Sequence, residues 1–218
     1  MRIRKLIWNT MLGVLLFVSI VLVGCGGNDT YVETFDEPGT WSAGSDIDVD
    51  GDVRDGVYDL LVKADNLLIW ASAGESFGDG VYAVEATAVD GPVNNGYGMV
   101  FRLDDDADNF YLFKVSSDGF VWIGKMVNGG LEENRPLVQD WWFESSAVKT
   151  GLNETNVLRV QAESGNMIFF VNDQEVGRVT DNSFRSGDIG VMAETLGLGG
   201  VQVHFDNFTV SPLDDSTD

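Results

Sequence analysis

Four aspartates lie within five residues of the sequence, between two apolar segments. They are Asp104, Asp105, Asp106 and Asp108, and the run Phe110-Tyr-Leu-Phe113 follows them. Carboxylate oxygens are the ligands that Ca²⁺ prefers, so these side chains form a candidate calcium site. Aspartate is also common in hairpin loops for conformational reasons. We therefore expect a solvated hairpin turn and keep calcium as the alternative.

Two isolated glutamates are the candidates for acid–base chemistry on a sugar. Hydrolysis of a glycosidic bond needs two carboxyl groups about 5–9 Å apart. Glu85 and Glu194 each lie in or directly after an apolar, strand-like segment. The alternative for either residue is a carboxylate on the strand surface or a partner of Arg102 or Arg159. The single histidine, His204, excludes a histidine-based metal cluster, and serine-nucleophile and phosphate-loop motifs are absent. The sequence names no catalytic set and leaves enzymatic activity open.

Strand register gives a third candidate site. If the acidic turn joins an antiparallel pair with Leu103 opposite Asn109, one face of the pair is wholly apolar or aromatic. The next turn, Ser117-Asp118-Gly119, suits a three-residue hairpin loop with Gly119 in the left-handed conformation. These two turns predict three adjacent strands with one core face and one mixed face. Because side chains alternate, a slip of one residue would exchange the two faces.

The mixed face is predicted to carry Arg102, Phe110, Lys114 and Trp122. An indole beside long cationic side chains suits a sugar, whose C–H groups stack on the ring and whose hydroxyls accept hydrogen bonds. Two alternatives remain: Lys114 covers Trp122 as a surface cation–π pair, or a second layer buries the face. We predict a carbohydrate-binding face and leave both alternatives open.

The elements that must position these residues are short strands. Apolar or alternating runs separated by Gly, Asn and Asp predict an all-β, antiparallel sandwich of about 10–14 strands. A helical turn is suggested only at Glu144–Lys149, and of Trp141 and Trp142 we expect one in the core and one at a loop. The runs that predict strands are 57–62, 67–71, 81–89, 97–103, 110–116, 120–127, 157–162, 167–171, 189–193 and 201–210.

The N-terminus predicts export. Arg2, Arg4 and Lys5 precede an apolar run that ends at Leu22-Val-Gly-Cys25, which resembles the lipobox of bacterial lipoproteins. In such proteins the cysteine carries diacylglycerol and becomes the new N-terminus. Cys25 is the only cysteine, so disulfides and thiol chemistry are excluded. The resemblance implies a lipid-anchored protein of the bacterial cell envelope, facing outside or the periplasm.

The boundaries follow from these features. We predict a cleaved signal peptide at 1–24, a lipidated cysteine with a flexible tether at 25–30, a sandwich at 31–212 and an acidic disordered tail at 213–218. Three of the 13 basic residues lie in residues 1–24, which contain no acidic residue. The remaining chain has 10 basic residues against 35 acidic ones and a formal charge of about −25. That charge excludes nucleic acid as a natural partner. We expect a monomer without a cofactor, calcium apart.

Short motifs follow one another along the second half of the chain. They are Tyr97-Gly-Met-Val-Phe-Arg102, Asn109-Phe-Tyr-Leu-Phe113, Ser116-Ser-Asp-Gly119, Asn156-Val-Leu-Arg159, Phe170-Val-Asn172, Gly187-Asp-Ile-Gly190 and His204-Phe-Asp-Asn-Phe208. This succession resembles the laminin-G-like, concanavalin A-like sandwich domains of bacterial surface proteins, in particular those named 3-keto-disaccharide hydrolase. The likeness is strongest from Tyr97 to Val210. It implies the fold and a surface location, and it implies glycoside processing as one possible activity.

We predict binding of a glycan or glycoconjugate at the cell surface. The alternatives are a glycoside-processing enzyme of the 3-keto-disaccharide hydrolase type, and a structural or protein-interaction module without a small ligand.

Overall fold

The computed structural model describes residues 2–6, 30–130, 133–139 and 141–213. Cys25, Asp140 and the predicted tail from residue 214 onward lie outside these ranges. Seventeen strands are present in the described residues. In chain order they are β1 (Arg2–Lys5), β2 (Tyr31–Glu33), β3 (Gly44–Ser45), β4 (Val49–Arg54), β5 (Val57–Val62), β6 (Leu67–Phe77), β7 (Gly80–Asp90), β8 (Gly96–Asp104), β9 (Asn109–Ser116), β10 (Phe120–Val127), β11 (Glu133–Pro136), β12 (Phe143–Glu144), β13 (Thr155–Glu163), β14 (Asn166–Val171), β15 (Gln174–Thr180), β16 (Gly187–Glu194) and β17 (Val201–Ser211).

Two sheets stack face to face. The front sheet has the order β1-β6-β16-β8-β9-β10-β11, with β12 beside β10. The back sheet has the order β15-β14-β13-β7-β17-β5-β4-β3, with β2 beside β17. Every described pair is antiparallel except β1 with β6, which is parallel. Within the described ranges, no helix is long and apolar enough to span a membrane. The predicted antiparallel sandwich is confirmed.

The two sheets bury their strands differently, and the sequence pattern shows why. In β7 and β13 of the back sheet, buried and half-buried residues alternate, as expected for a strand with one face on the core. In β8, β9 and β10 of the front sheet, nearly every residue is buried. The front sheet therefore has a second apolar face on the side away from the core. We call this side the outer face.

The main core between the sheets is rich in aromatic rings. Phe101 lies 5.5 Å from Tyr82 and 5.4 Å from Tyr111, measured between ring centroids. Phe35, Trp41 and Tyr58 form a second group at the edge, with centroids 5.1–6.0 Å apart. Tilted and edge-on contacts of this kind add to the stabilisation from buried area.

Three predictions about elements were wrong. Residues 144–149 do not form a helix, because Phe143–Glu144 is extended and the Ser145 hydroxyl then accepts a hydrogen bond from Ala147 N, as in a turn. Edge strand β15 was missed, since its mainly polar sequence shows little apolar alternation. Seventeen strands also exceed the predicted number, because several of the additional ones are only two to four residues long.

The hairpins around the acidic turn were predicted almost correctly. Lys114 lies opposite Trp122, and Gly119 has a φ of 101° in the left-handed region, as expected. The first hairpin differs, because Asn109 pairs with Asp104 instead of Leu103. A β-bulge between Phe101 and Asp104 absorbs the extra residue, so the predicted register holds only up to Phe101.

Candidate functional site

Five residues form a row across the outer face of the front sheet. The registers pair Trp70 of β6 with Met192 of β16, and Met192 with Gly98 of β8. Gly98 in turn pairs with Lys114 of β9, which pairs with Trp122 of β10. Directly paired residues in a sheet present their side chains on the same side. The row therefore places a lysine in the middle of an otherwise apolar surface with a tryptophan at either end.

Lys114 forms a buried ion pair with Glu194. Its Nζ donates to Glu194 Oε1 at 2.6 Å, and the two side chains are 6% and 1% exposed. Burial lowers the pKa of Lys114, and the neighbouring carboxylate acts against this effect. A buried ion pair contributes little net stability, because desolvation offsets much of the attraction. The Lys114–Glu194 ion pair instead holds two charged groups at a fixed position on an apolar face.

Tryptophan rings surround the ion pair. Lys114 Nζ lies 4.5 Å from the ring centroid of Trp122 and 5.0 Å from that of Trp142. The indole of Trp122 covers Gly124, where a side chain would overlap the ring. Trp141 meets Trp122 edge-on with centroids 6.4 Å apart and is 57% exposed. The site thus runs from a buried ion pair to an exposed indole.

Two buried polar atoms on this face have no hydrogen-bond partner. They are Trp70 Nε1, a donor, and Glu194 Oε2, an acceptor. Leaving a buried polar group unpaired costs about 1–3 kcal/mol, so native proteins seldom do it. Such atoms are candidates for contact with a ligand or a bound water molecule.

Three of the four residues predicted for the mixed face belong to this site. Phe110, Lys114 and Trp122 are all buried on the outer face, and Phe110 packs against Trp70 with ring centroids 4.9 Å apart. Lys114 and Trp122 are in contact, as the cation–π alternative predicted, but the pair is buried and not at the surface, which agrees with the other alternative, a buried face. Ile3 and Trp142 pack against the apolar part of the face.

Arg102 does not belong to the site, and its predicted place on the mixed face is wrong. Its φ is +51° and it lies in the bulge of β8. The guanidinium Nη1 donates to Ser164 O at 2.8 Å and Phe184 O at 3.1 Å, and Nη2 donates to Asp79 at 2.9 Å. The bulge turns Arg102 away from the outer face, where it instead joins loops at one end of the sandwich.

The two glutamates considered for catalysis lie in different sheets. Glu194 belongs to the outer face of the front sheet, whereas Glu85 is a half-buried residue of β7 in the back sheet. They do not form a carboxylate pair around one ligand. Glu194 was expected to be a surface carboxylate or the partner of Arg102 or Arg159, and its partner is Lys114. His204 is half-exposed on the polar side of β17, as its parity predicts.

The acidic turn has internal partners. Asp104 accepts a hydrogen bond from Asp106 N at 3.2 Å, and Asp105 accepts one from Lys5 Nζ at 2.5 Å. Burial and the neighbouring carboxylates of Asp105 and Asp104 raise the pKa of Asp108. Among the residues that the structure describes, no three His, Cys, Asp or Glu side chains are grouped to hold a metal ion. The calcium hypothesis stays a prediction from composition.

Sequence reasoning missed Trp70, Met192 and Trp142. Trp70 and Met192 reach the site only through the sheet order β6-β16-β8, which joins segments distant in the sequence. Trp142 lies in the conspicuous aromatic run 141–143. One of Trp141 and Trp142 was expected in the main core, but neither lies there, and Trp142 packs on the outer face instead. The sequence alone does not show whether a tryptophan beside a polar loop packs in the core or on the outer face, because that depends on the tertiary packing.

The fold and site define a concanavalin A-like jelly-roll sandwich with an aromatic, charge-bearing outer face. No protein-family model matches the chain, and no curated protein matches it. Solved structures do share the fold, and they include carbohydrate-binding and carbohydrate-processing proteins.

Three of these structures illustrate the likeness. The carbohydrate-binding module CBM66 from Bacillus subtilis has 22% identity and a TM-score of 0.52, over 83% of this chain and 95% of the module. A Bacillus licheniformis beta-glucanase has 12% identity and a TM-score of 0.61, over 87% and 100%. The Crh5 transglycosylase in complex with NAG has 12% identity and a TM-score of 0.62, over 85% and 84%. At such identities the likeness establishes the fold alone.

Proposed function

We propose that this protein binds a glycan or glycoconjugate on the outer face of the front sheet, at the surface of the bacterial envelope. The observation that carries the proposal is the pair of unpartnered buried polar atoms, Trp70 Nε1 and Glu194 Oε2. One is a donor, the other an acceptor, and both lie on the face that holds Lys114 and Trp122. The solved structures with this fold that bind or process sugars support the proposal at the level of fold.

Sugar chemistry fits this combination of groups. A hydroxyl both donates and accepts, so sugar hydroxyl groups can donate to Glu194 Oε2 and accept from Trp70 Nε1. The apolar C–H side of a pyranose ring stacks on indoles, which Trp122, Trp142 and Trp141 supply. The formal charge of the processed chain, about −25, disfavours strongly anionic ligands. A neutral polysaccharide or glycoconjugate is therefore the favoured class.

We further propose that the binding form is the processed protein, anchored through a lipid on Cys25. Ile3 packs on the outer face beside Leu68 and Trp70. Removal of residues 1–24, as the lipobox resemblance predicts, removes this side chain. Solvent and ligand then gain access to the β6 side of the face.

A glycan array followed by polysaccharide pull-down tests the proposal. The processed protein is compared with Trp122→Ala, which removes the stacking ring, and with Gly124→Ala, whose methyl group would overlap both that ring and the backbone oxygen of Arg135. Glu194→Gln keeps the shape and removes the charge. We expect Trp122→Ala to weaken binding about 10- to 100-fold, from an aromatic contact of about 1–3 kcal/mol.

Glu85→Gln on the back sheet and Gly78→Ala, which has free space for a methyl group, are the matched controls and should bind as the parent does. Binding to no glycan at all would contradict the proposed function. Binding that is unchanged in Trp122→Ala and Gly124→Ala would remove the outer face as its site. In the first case a structural or protein-interaction role becomes the better interpretation.

A further inference from the structure

The N-terminal residues of the unprocessed chain occupy an edge of the front sheet. Arg2–Lys5 pairs in parallel with Leu67–Trp70 of β6. Arg2 N donates to Asn66 O at 2.7 Å, and Leu6 N donates to Trp70 O at 2.9 Å. These backbone hydrogen bonds are independent of side-chain identity, so they show that the β6 edge can accept an added strand.

The side chains of this segment meet a complementary surface. Arg2 Nη1 lies 3.2 Å from Asp48 Oδ2, Arg4 pairs with Asp46, and Lys5 Nζ lies 2.5 Å from Asp105 Oδ2. Three successive cations of the segment thus have three different carboxylates, on the loop before β4 and in the acidic turn.

An apolar anchor follows the cations. Leu6 is 2% exposed, and its Cδ2 would lie 2.6 Å from a Cβ at Gly51, so the glycine makes room for the leucine. Ile3 packs on the apolar outer face. The surface therefore recognises an order of residues, basic–apolar–basic–basic–apolar, and not positive charge alone.

Processing at Cys25 would leave this surface without its occupant. The β6 edge would present unpaired N–H and C=O groups, which readily template a further strand. Asp46, Asp48 and Asp105 would lose the cations described above. Asp46 and Asp105 line a cleft of about 1220 Å³ together with Asp50, Asp52 and Asp108, where Arg54 is the cation that remains.

We propose that, in the processed protein, the β6 edge binds an extended basic segment of a partner polypeptide, in the parallel orientation that residues 2–6 adopt. The occupant is an extended strand with cations opposite Asp48, Asp46 and Asp105 and an apolar residue in the position of Leu6. The site adjoins the proposed glycan face, since Trp70 belongs to both, and it shares no residue with the glycan contacts at Lys114, Glu194 and Trp122.

Amide hydrogen exchange on the processed lipoprotein tests this proposal. The protein is isolated from membranes in detergent, and its N-terminal mass establishes that residues 1–24 are gone. The probe is the synthetic peptide Met-Arg-Ile-Arg-Lys-Leu, which repeats residues 1–6. At a peptide concentration ten times the Kd, those amides of Leu67–Trp70 that face the edge should exchange about tenfold more slowly. No glycan is present, so the result does not depend on glycan binding and shares with the proposed function only the removal of residues 1–24.

Two controls separate recognition from simple charge attraction. A peptide with its three cations replaced by glutamate should give no protection. Asp46→Asn and Asp48→Asn should each weaken the peptide about 1.5- to 5-fold, the range for exposed ion pairs, and added salt should weaken it further. Asp173→Asn, a 92% exposed carboxylate between β14 and β15, should leave affinity unchanged.

Several results would overturn the proposal. One is that the peptide does not slow amide exchange in Leu67–Trp70. Others are that both peptides slow exchange equally, or that these amides are already protected in the processed protein without any peptide. Isolation of the protein with residues 2–6 still attached would overturn it as well, because the edge would then be permanently filled.

Discussion

Lys114 and Glu194 form an ion pair although one strand lies between them. Lys114 is on β9 and Glu194 on β16, and β8 separates the two strands. Two glycines of β8, Gly96 and Gly98, lie at this point of the sheet, and a side chain at Gly96 would overlap Glu194 Oε1. The absence of a side chain at Gly96 leaves room for the Glu194 carboxylate to reach Lys114 across β8. The ion pair on the outer face therefore depends on a glycine in β8, the strand that contributes neither of the two charged residues.

Replacing only one residue of this ion pair should lower the free energy of unfolding more, per residue replaced, than replacing both. Lys114→Met leaves the Glu194 carboxylate buried without its cation, and Glu194→Leu leaves the ammonium without its anion. We expect each single variant to lower the free energy of unfolding by about 3–5 kcal/mol. The double variant should lose clearly less than the sum of the two. Urea unfolding of all four proteins measures this, and strictly additive losses would show that the groups do not interact.

Arg102→Met should destabilise the fold without affecting the outer face. The change removes the donors to Ser164 O and Phe184 O and the ion pair with Asp79, which is half-exposed and contributes little. We expect a loss of about 3 kcal/mol in the free energy of unfolding, mainly from the unsatisfied carbonyl groups. Glycan affinity, measured on folded protein, should equal that of the parent. A variant of normal stability with reduced affinity would instead place Arg102 at the ligand.

The tyrosines should resist ionisation until the protein unfolds. Burial is the largest cause that raises the pKa of each of the five tyrosines, to about 12 for Tyr31, Tyr82 and Tyr111 and also above its usual value for Tyr58 and Tyr97. A phenol whose pKa is higher in the folded state stabilises the fold below the unfolded pKa of about 10. That contribution is lost as the pH rises from about 10 through the folded pKa.

An alkaline titration followed by two signals checks this prediction. Phenolate absorbance should increase together with the loss of sheet circular dichroism, because deprotonation and unfolding are linked. Full ionisation near pH 10 with the sheet signal intact would contradict the burial of these rings.

Local patterns in the sequence predicted much of the fold. The runs at 57–62 and 120–127 match β5 and β10 residue for residue, because alternation and turn residues are local properties. The same reasoning predicted Lys114 opposite Trp122, since a short hairpin loop fixes the register of its two strands. It failed at Arg102, where a bulge changes the direction of the side chain and has no distinct signature in the residue types.

The sequence by itself determined an all-β chain, the hairpins around the acidic turn and the parity of Phe110, Lys114 and Trp122. These features depend on residues that are close in the chain. The tertiary structure decided which distant segments share the outer face. It brought Trp70 and Met192 to the row, and Glu194 to Lys114, through the order β6-β16-β8, and it placed Arg2–Lys5 on the edge of β6. Sheet order depends on the packing of whole faces and on the pairing of strands far apart in sequence, which no local pattern contains.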